Sequence, residues 1–277
     1  MNTSNHSPSM PSFVLSREEL LFLLRLIGAK DIPGLGDDPL LGQLNTEQQA
    51  LGMVYAERTL RARGLARIDE SSELQLHAEL LQAVTACAFS HRSIVVYHLD
   101  ANRRATQYFG HIREQTVIAH TKPEPPLHRL HMLHDEHTLI QEILTLVQAE
   151  DMPESDPAAI VFPLAFVPKI RELAAQGEHN TALNLLLENG VAAGPGSRLL
   201  QTLAGKYALT IFQNYNRLLD GSFLTRSVTL LRNHQTAWMM FSPQKEDGNV
   251  TFRPFTTPQL RELLESWLKV QMARIPE

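Results

Sequence analysis

Apolar residues recur at helical spacing in eight segments, and several of these segments carry recognisable start or stop residues. Ser16, followed three residues later by Glu19, forms a capping-box pattern. Gly64 and the pair Asn189-Gly190 are typical of helix ends. These signals predict helices over residues 16–28, 45–63, 73–89, 135–149, 166–176, 180–188, 197–204 and 257–272.

Between these helices the pattern changes to short runs rich in β-branched and aromatic residues, separated by polar or turn-like segments. Four such runs occur in each half of the chain, which predicts an antiparallel meander in each half. The predicted strands are Ser93–Asp100, Ala105–Ile112, Thr116–Thr121, Leu127–Leu133, Tyr207–Asn214, Arg226–Asn233, Thr236–Pro243 and Asn249–Thr256.

The order of elements predicts an α+β protein with two similarly built halves, residues 15–149 and 158–277. Each half has helices, a four-stranded antiparallel meander and a closing helix. The acidic segment 150–157, which contains two prolines, is the predicted linker, and residues 1–14 are predicted to be disordered. Identity between the halves is negligible, so duplication and chance both explain the shared order. If the halves are related, their strands join in one central sheet flanked by helices.

Composition and charge narrow the class of protein. The chain has 277 residues, 43% hydrophobic and 20% charged, with a formal net charge of -5, and residues 1–150 carry 13 basic against 18 acidic side chains. This balance argues against a nucleic-acid partner. Cys87 is the one cysteine, so no internal disulfide can form and a reducing cytosol is the expected compartment. We expect neither a signal peptide nor a membrane span.

Four stretches of the sequence are informative as a pattern of elements: AERTLRARGLARI at Ala56–Ile68, SIVVYHL at Ser93–Leu99, TQYFGHIREQTVIAH at Thr106–His120 and TPQLRELLESWL at Thr257–Leu268. Together with the order of elements, the length and the acidic character of the chain, they resemble the EspG family, the cytosolic chaperones of type VII (ESX) secretion. The resemblance implies a central, mostly antiparallel sheet with helical bundles on either side. It also implies a non-enzymatic adaptor or chaperone that binds an exported helical partner, such as a PE-PPE heterodimer, and keeps its apolar tip from aggregating. No residue-level binding motif can be transferred.

Histidines are concentrated in one part of the chain. Eight of the 12 lie between residues 91 and 137, and His128, His131, His134 and His137 recur at every third position. On a strand this spacing alternates faces, so only His134 and His137 could share a site with a neighbouring carboxylate. No HExxH motif or cysteine pair accompanies them, so surface histidines without a functional metal are predicted. A metal-dependent enzyme using residues 128–137 is the alternative.

Arginines form a second local cluster. Arg58, Arg61, Arg63 and Arg67 fall within ten residues, in a segment that could be part of a winged helix facing DNA. A DNA-binding transcriptional regulator is therefore an alternative function. The negative charge of the surrounding half favours a solvated helix face instead.

No segment carries a recognisable catalytic or cofactor motif. The segment GPGS at Gly194–Ser197 lacks the lysine and the preceding strand of a phosphate-binding loop, so we interpret it as a turn with Ser197 as N-cap. Cys87 lies on an apolar helical face, which is typical of a buried thiol. We therefore predict no catalytic residue and no cofactor.

The segment TAWMMFSP at Thr236–Pro243 is the candidate partner-binding patch. As a strand it places Trp238 and Met240 on one face and the intervening residues on the other. If one face is open, Trp238 and Met240 would contact a partner, with the polar turn Gln244–Asn249 as a mobile rim. An interior strand covered on both faces would explain the same pattern without a partner.

Overall fold

A computed structural model describes residues 10–36, 43–149, 158–218, 222–243 and 248–269. The predicted linker at 150–157 and most of the predicted rim at Gln244–Asn249 lie outside the described residues. The helices within the described ranges are α1 (Arg17–Leu26), α2 (Thr46–Ala62), α3 (Ala78–Ala88), α4 (Glu136–Leu146), α5 (Val167–Ala175), α6 (His179–Glu188), α7 (Ala193–Ala204) and α8 (Thr257–Leu268).

The strands within the same ranges include all eight that the sequence predicts. They are β1 (Ser12–Leu15), β2 (Ala66–Ile68), β3 (Leu74–Leu76), β4 (Arg92–Leu99), β5 (Ala105–Arg113), β6 (Thr116–Thr121), β7 (His128–Leu133), β8 (Ile160–Pro163), β9 (Ala208–Arg217), β10 (Phe223–Arg232), β11 (Ala237–Phe241) and β12 (Asn249–Pro254).

Ten of these strands form one large antiparallel sheet, and the short hairpin β2–β3 stands apart from it. The strand order is β1-β7-β6-β5-β4-β9-β10-β11-β12-β8, so two four-residue strands, β1 and β8, form the edges. Helices flank the sheet. The predicted α+β class and the predicted central sheet are therefore confirmed.

The chain forms two compact units, and the boundary between them passes through individual strands. The first contains Met1–Val95, Gln107–Leu139 and Asn216–Phe223, and the second contains Val96–Thr106, Ile140–Tyr215 and Leu224–Glu277. These units differ from the two predicted sequential halves. The difference arises because β4 and β5 are long strands whose connected ends, within Val96–Thr106, belong to the second unit.

In the first unit, α1 and α3 cover strands β1, β6 and β7. The core contains Leu20 and Leu80 from the helices and Ile118 and Leu130 from the sheet, all fully buried. The predicted capping box begins α1: the Ser16 hydroxyl accepts from the backbone N–H of the third helical residue, and that residue's carboxylate accepts from the backbone N–H of Ser16. The cap satisfies N–H groups that an open helix end would leave unpaired.

In the second unit, α5, α6 and α7 cover the strands at the other end of the strand order. The core contains Phe162, Leu199, Trp238 and Phe252, all buried. The Phe162 and Phe252 rings stack in parallel, with centroids 5.6 Å apart. Trp238 and Met240 of β11 contact this core, and Met239, on the opposite face of the strand, is also buried.

Two predicted local structures are wrong. Residues 12–14 are not disordered, because β1 pairs antiparallel with β7 and buries Phe13 against the core. Residues 74–76 form β3 and not the start of a helix, because they pair with β2 across a tight turn.

The segment at Gly194–Ser197 is also not the predicted turn. Ala192 is the N-cap, and the four residues are the second to fifth residues of α7, which begins at Ala193. Pro195 is tolerated there because N–H groups in the first turn have no partner within the helix.

No helix in the described ranges is both long enough and apolar enough to cross a membrane.

Candidate partner-binding surface

Trp238 does not meet the condition that would make it a contact residue. Its side chain is only 1% exposed, and its indole N–H donates to the Thr202 hydroxyl at 3.1 Å. Met240 is half-buried and packs against the same core. The structure therefore places the predicted patch in the interior of the second unit, because α7 covers that face of β11.

The histidines are distributed differently from the predicted surface positions. His128 is buried, whereas His134 and His137 are exposed at the start of α4. The alternation along β7 is as expected, since His131, three residues after His128, is more accessible. The prediction of a surface position is wrong for His128, because α1 and its following loop cover that face of the sheet.

Three buried histidines on adjacent strands form a cluster that sequence reasoning missed. The His120 Nε2 and His128 Nδ1 atoms are 2.9 Å apart, and the His111 and His120 rings stack with centroids 5.8 Å apart. His111 Nδ1 lies 3.3 Å from the Ser93 hydroxyl. The sequence feature that could have revealed this cluster is the two-residue turn after β5. This turn fixes the register of β5 and β6 and so places His111 and His120 on one face of the sheet.

This histidine cluster lies in a positive environment and is held neutral. Burial lowers the pKa of His111 to about 3 and that of His128 to about 4. The charges of Lys122 and Arg17 lower the pKa of His128 further. Among the described residues, no group of three histidine, cysteine or acidic side chains is arranged to hold a metal ion. The absence of a stoichiometric metal stays a prediction.

The arginine cluster divides between two roles. Arg63 forms an ion pair with the buried Glu19 at 2.7 Å and donates to the Val14 carbonyl, so it fixes the end of α2 against β1. Arg58, Arg61 and Arg67 line a cavity of about 540 Å³ beside β2. Because Arg63 makes these contacts within the protein, the four arginines do not form one continuous stripe facing solvent. The DNA-binding alternative requires such a stripe to contact phosphates.

Strand β9 provides the best candidate surface, because one of its faces is buried and the other is only partly covered. The closed face carries Thr210, Phe212 and Asn214, all buried, and the Asn214 side-chain amide donates to the Trp267 carbonyl of α8. The opposite residues, Leu209, Ile211, Gln213 and Tyr215, are half-buried, and Leu209 packs against the core of the second unit. A strand in the middle of a sheet usually has this pattern when one face meets solvent or a partner.

The open face is extended by Tyr97 of the neighbouring strand β4, whose side chain is 38% exposed. Tyr215 donates its hydroxyl to the Gln213 side chain at 3.0 Å. Burial, together with the nearby Tyr97, raises the pKa of Tyr215, so its hydroxyl stays protonated near neutral pH. We call Tyr97, Ile211, Gln213 and Tyr215 the open β9 face. It offers apolar area and hydroxyl groups for contact and no nucleophile or acid–base pair.

Comparison with solved structures finds a similar fold in a known chaperone. The Mycobacterium tuberculosis type VII secretion system chaperone EspG5, solved in complex with a PE25-PPE41 dimer, superimposes with a TM-score of 0.62. The alignment covers 96% of this chain and 99% of EspG5, at 12% sequence identity. The fold is that of an EspG chaperone. No family model and no curated protein sequence matches the chain.

The EspG likeness confirms the resemblance that the element order indicates. It covers nearly the whole chain. The structural neighbour is a chaperone and not an enzyme, and its partner is a protein dimer. At 12% identity the likeness establishes the fold of this chain and not its function.

Proposed function

We propose that this protein is a cytosolic, non-enzymatic chaperone of the EspG type. It binds a helical client, such as a PE-PPE heterodimer, and keeps the apolar tip of that client from aggregating before export. The proposal combines a fold similar to that of EspG5 with a surface on this chain that suits protein contact.

The open β9 face is the observation that carries the proposal. Tyrosine is enriched in protein interfaces because its ring provides contact area at low conformational cost and its hydroxyl tolerates water before binding. Tyr97 and Tyr215 offer this combination beside the aliphatic Ile211, above a closed and packed opposite face. Because these side chains are largely half-buried, the free protein avoids a large bare apolar patch.

The likeness to EspG5 supports the choice of client class. EspG5 was solved with a PE25-PPE41 dimer, so a fold of this type accommodates such a partner in that protein. For the present chain, the same client class is part of the proposal.

The proposal is tested by binding measurements with a panel of PE-PPE dimers that includes PE25-PPE41. We expect at least one dimer to co-elute with the protein, and we expect Tyr97→Ala to weaken that binding by about tenfold or more, as truncation of an interface aromatic does. Because Tyr97 is partly exposed, the melting temperature should change little. Calorimetric titration measures the affinity.

Leu81→Ala is the matched control, since Leu81 is 39% exposed, much as Tyr97 is, and lies on α3, an element separate from strand β9. It should bind the client with unchanged affinity. Failure of the wild-type protein to bind any dimer in the panel, or equal affinity for the Tyr97→Ala variant, would contradict the proposal.

A further inference from the structure

Helix α2 has two apolar faces, and the described structure accounts for only one of them. Ala56 and Leu60 are buried, and Leu60 belongs to the first unit's core. Leu51, Val54 and Tyr55 lie on the opposite side of the helix and are 53%, 43% and 57% exposed. At 3.6 residues per turn these three side chains fall within about 100° of arc, so they form a continuous stripe.

A charged residue lies at each end of this stripe. Glu47 lies one turn before Leu51, and Arg58 lies one turn after Val54, on the same face of the helix. Neither forms an ion pair with another residue that the structure describes, whereas the adjacent Arg61 pairs with Glu57. We call Glu47, Leu51, Val54, Tyr55 and Arg58 the outer α2 stripe.

The order of residues along the outer α2 stripe is symmetric. Glu47 and Arg58 are equally distant in sequence from the midpoint between residues 52 and 53, and so are Leu51 and Val54. If a second copy of α2 packs antiparallel about a two-fold axis through this midpoint, Leu51 faces the second copy's Val54. Glu47 then faces the second copy's Arg58, and the same two contacts repeat on the other side of the axis.

We infer that the outer α2 stripe is a homodimer interface, with a second copy of this chain as its occupant. The charge pattern favours this occupant, because an antiparallel second copy would place its Arg58 opposite Glu47 and its Glu47 opposite Arg58. A single helix pair buries less area than the roughly 800 Å² per partner of a standard interface, so the dimer is weak and forms with rising concentration. Nucleic acid fits less well, since the stripe begins with a carboxylate.

Sedimentation of the full chain over a concentration series tests the inference. The wild type should shift from monomer to dimer as concentration rises. Glu47→Arg and Arg58→Glu each place like charges opposite one another twice per dimer, so each should raise the dissociation constant by roughly tenfold or more. The double variant, Glu47→Arg with Arg58→Glu, exchanges the two charges and should restore association.

Arg171→Glu, at an exposed position of α5, is the control for a change in net charge and should leave the dissociation constant unchanged. The melting temperature of every variant verifies that the fold is intact. A wild type that stays monomeric up to its solubility limit, single variants that dimerise normally, or a double variant that fails to recover would each overturn the inference. Loss of client binding by the single variants, without a change in dimer mass, would also overturn it.

Discussion

Three neutral histidines in the core of the first unit make the stability of the protein sensitive to acid. His111 and His128 have pKa values of about 3 and about 4, and the pKa of His120 is lowered well below its usual value by burial and by its two neighbours. In the unfolded chain a histidine titrates near a pKa of about 6.5. Below about pH 6.5 the unfolded chain therefore binds protons that the folded chain does not.

It follows that the free energy of unfolding is greatest above about pH 6.5 and falls as the pH is lowered toward about 4. Each histidine contributes about 1.4 kcal/mol per pH unit over that window. We expect His111→Gln to reduce the slope by about one proton, even if its stability at neutral pH is lower. Urea denaturation at a series of pH values measures this.

His179→Gln, at an exposed position, should retain the wild-type slope. Equal slopes for the wild type and the His111→Gln variant would show that the cluster does not govern the acid response.

Because Trp238 is buried, we expect it to contribute to stability and not to partner contact. Its ring fills the core of the second unit, and its N–H is satisfied by Thr202. Trp238→Ala should therefore lower the free energy of unfolding by about 3–5 kcal/mol, the usual cost of truncating a buried aromatic. Met240→Ala, at a half-buried position on the same strand, should cost clearly less. Chemical denaturation distinguishes the two, and a cost below about 1 kcal/mol for Trp238→Ala would contradict this assignment.

The packing of the start of α4 against β5 depends on Gly110. A Cβ atom added at Gly110 would lie 2.7 Å from a Leu139 methyl group, closer than packed carbon atoms approach. Gly110→Ala should therefore force this part of α4 away from the strand and cost about 1–3 kcal/mol. Thermal and urea unfolding measure the change.

Gly52 in α2 is the matched control for Gly110, because no neighbouring group lies within 4 Å of the position that a Cβ atom would occupy there. Gly52→Ala should stabilise the protein by about 0.5–1 kcal/mol through helix propensity alone. If Gly110→Ala proved as harmless as Gly52→Ala, the close helix–strand packing described above would not limit stability.

Across the whole molecule, local sequence signals predict where helices and strands lie better than they predict which faces of those elements are covered. The runs of β-branched and aromatic residues in β4, β5 and β6 and the capping pair before α1 identify those elements directly. The edge strand β8 could not be predicted in this way, because four apolar residues followed by a short turn and a helix give no clear period.

The candidate surface was less predictable, because exposure depends on distant helices. Trp238 and Met240 have the composition of an interface, yet α7 covers Trp238. The sequence YALTIFQNYN around β9 carries apolar and polar residues on both faces. Distant contacts decide which face is closed, such as that of Asn214 with α8, 53 residues away. Side-chain types alone do not contain that information.

The short edge strands of the large sheet have a consequence for solubility in a crowded cell. An unpaired edge is a template onto which other chains can add strands, and long flat edges lead to polymerisation. Here each edge strand has four residues, and β8 ends in Pro163, which has no backbone N–H to donate. Under the proposed chaperone function, the two edges would offer an aggregation-prone client little free backbone to pair with, so contact with the client would be made through side chains.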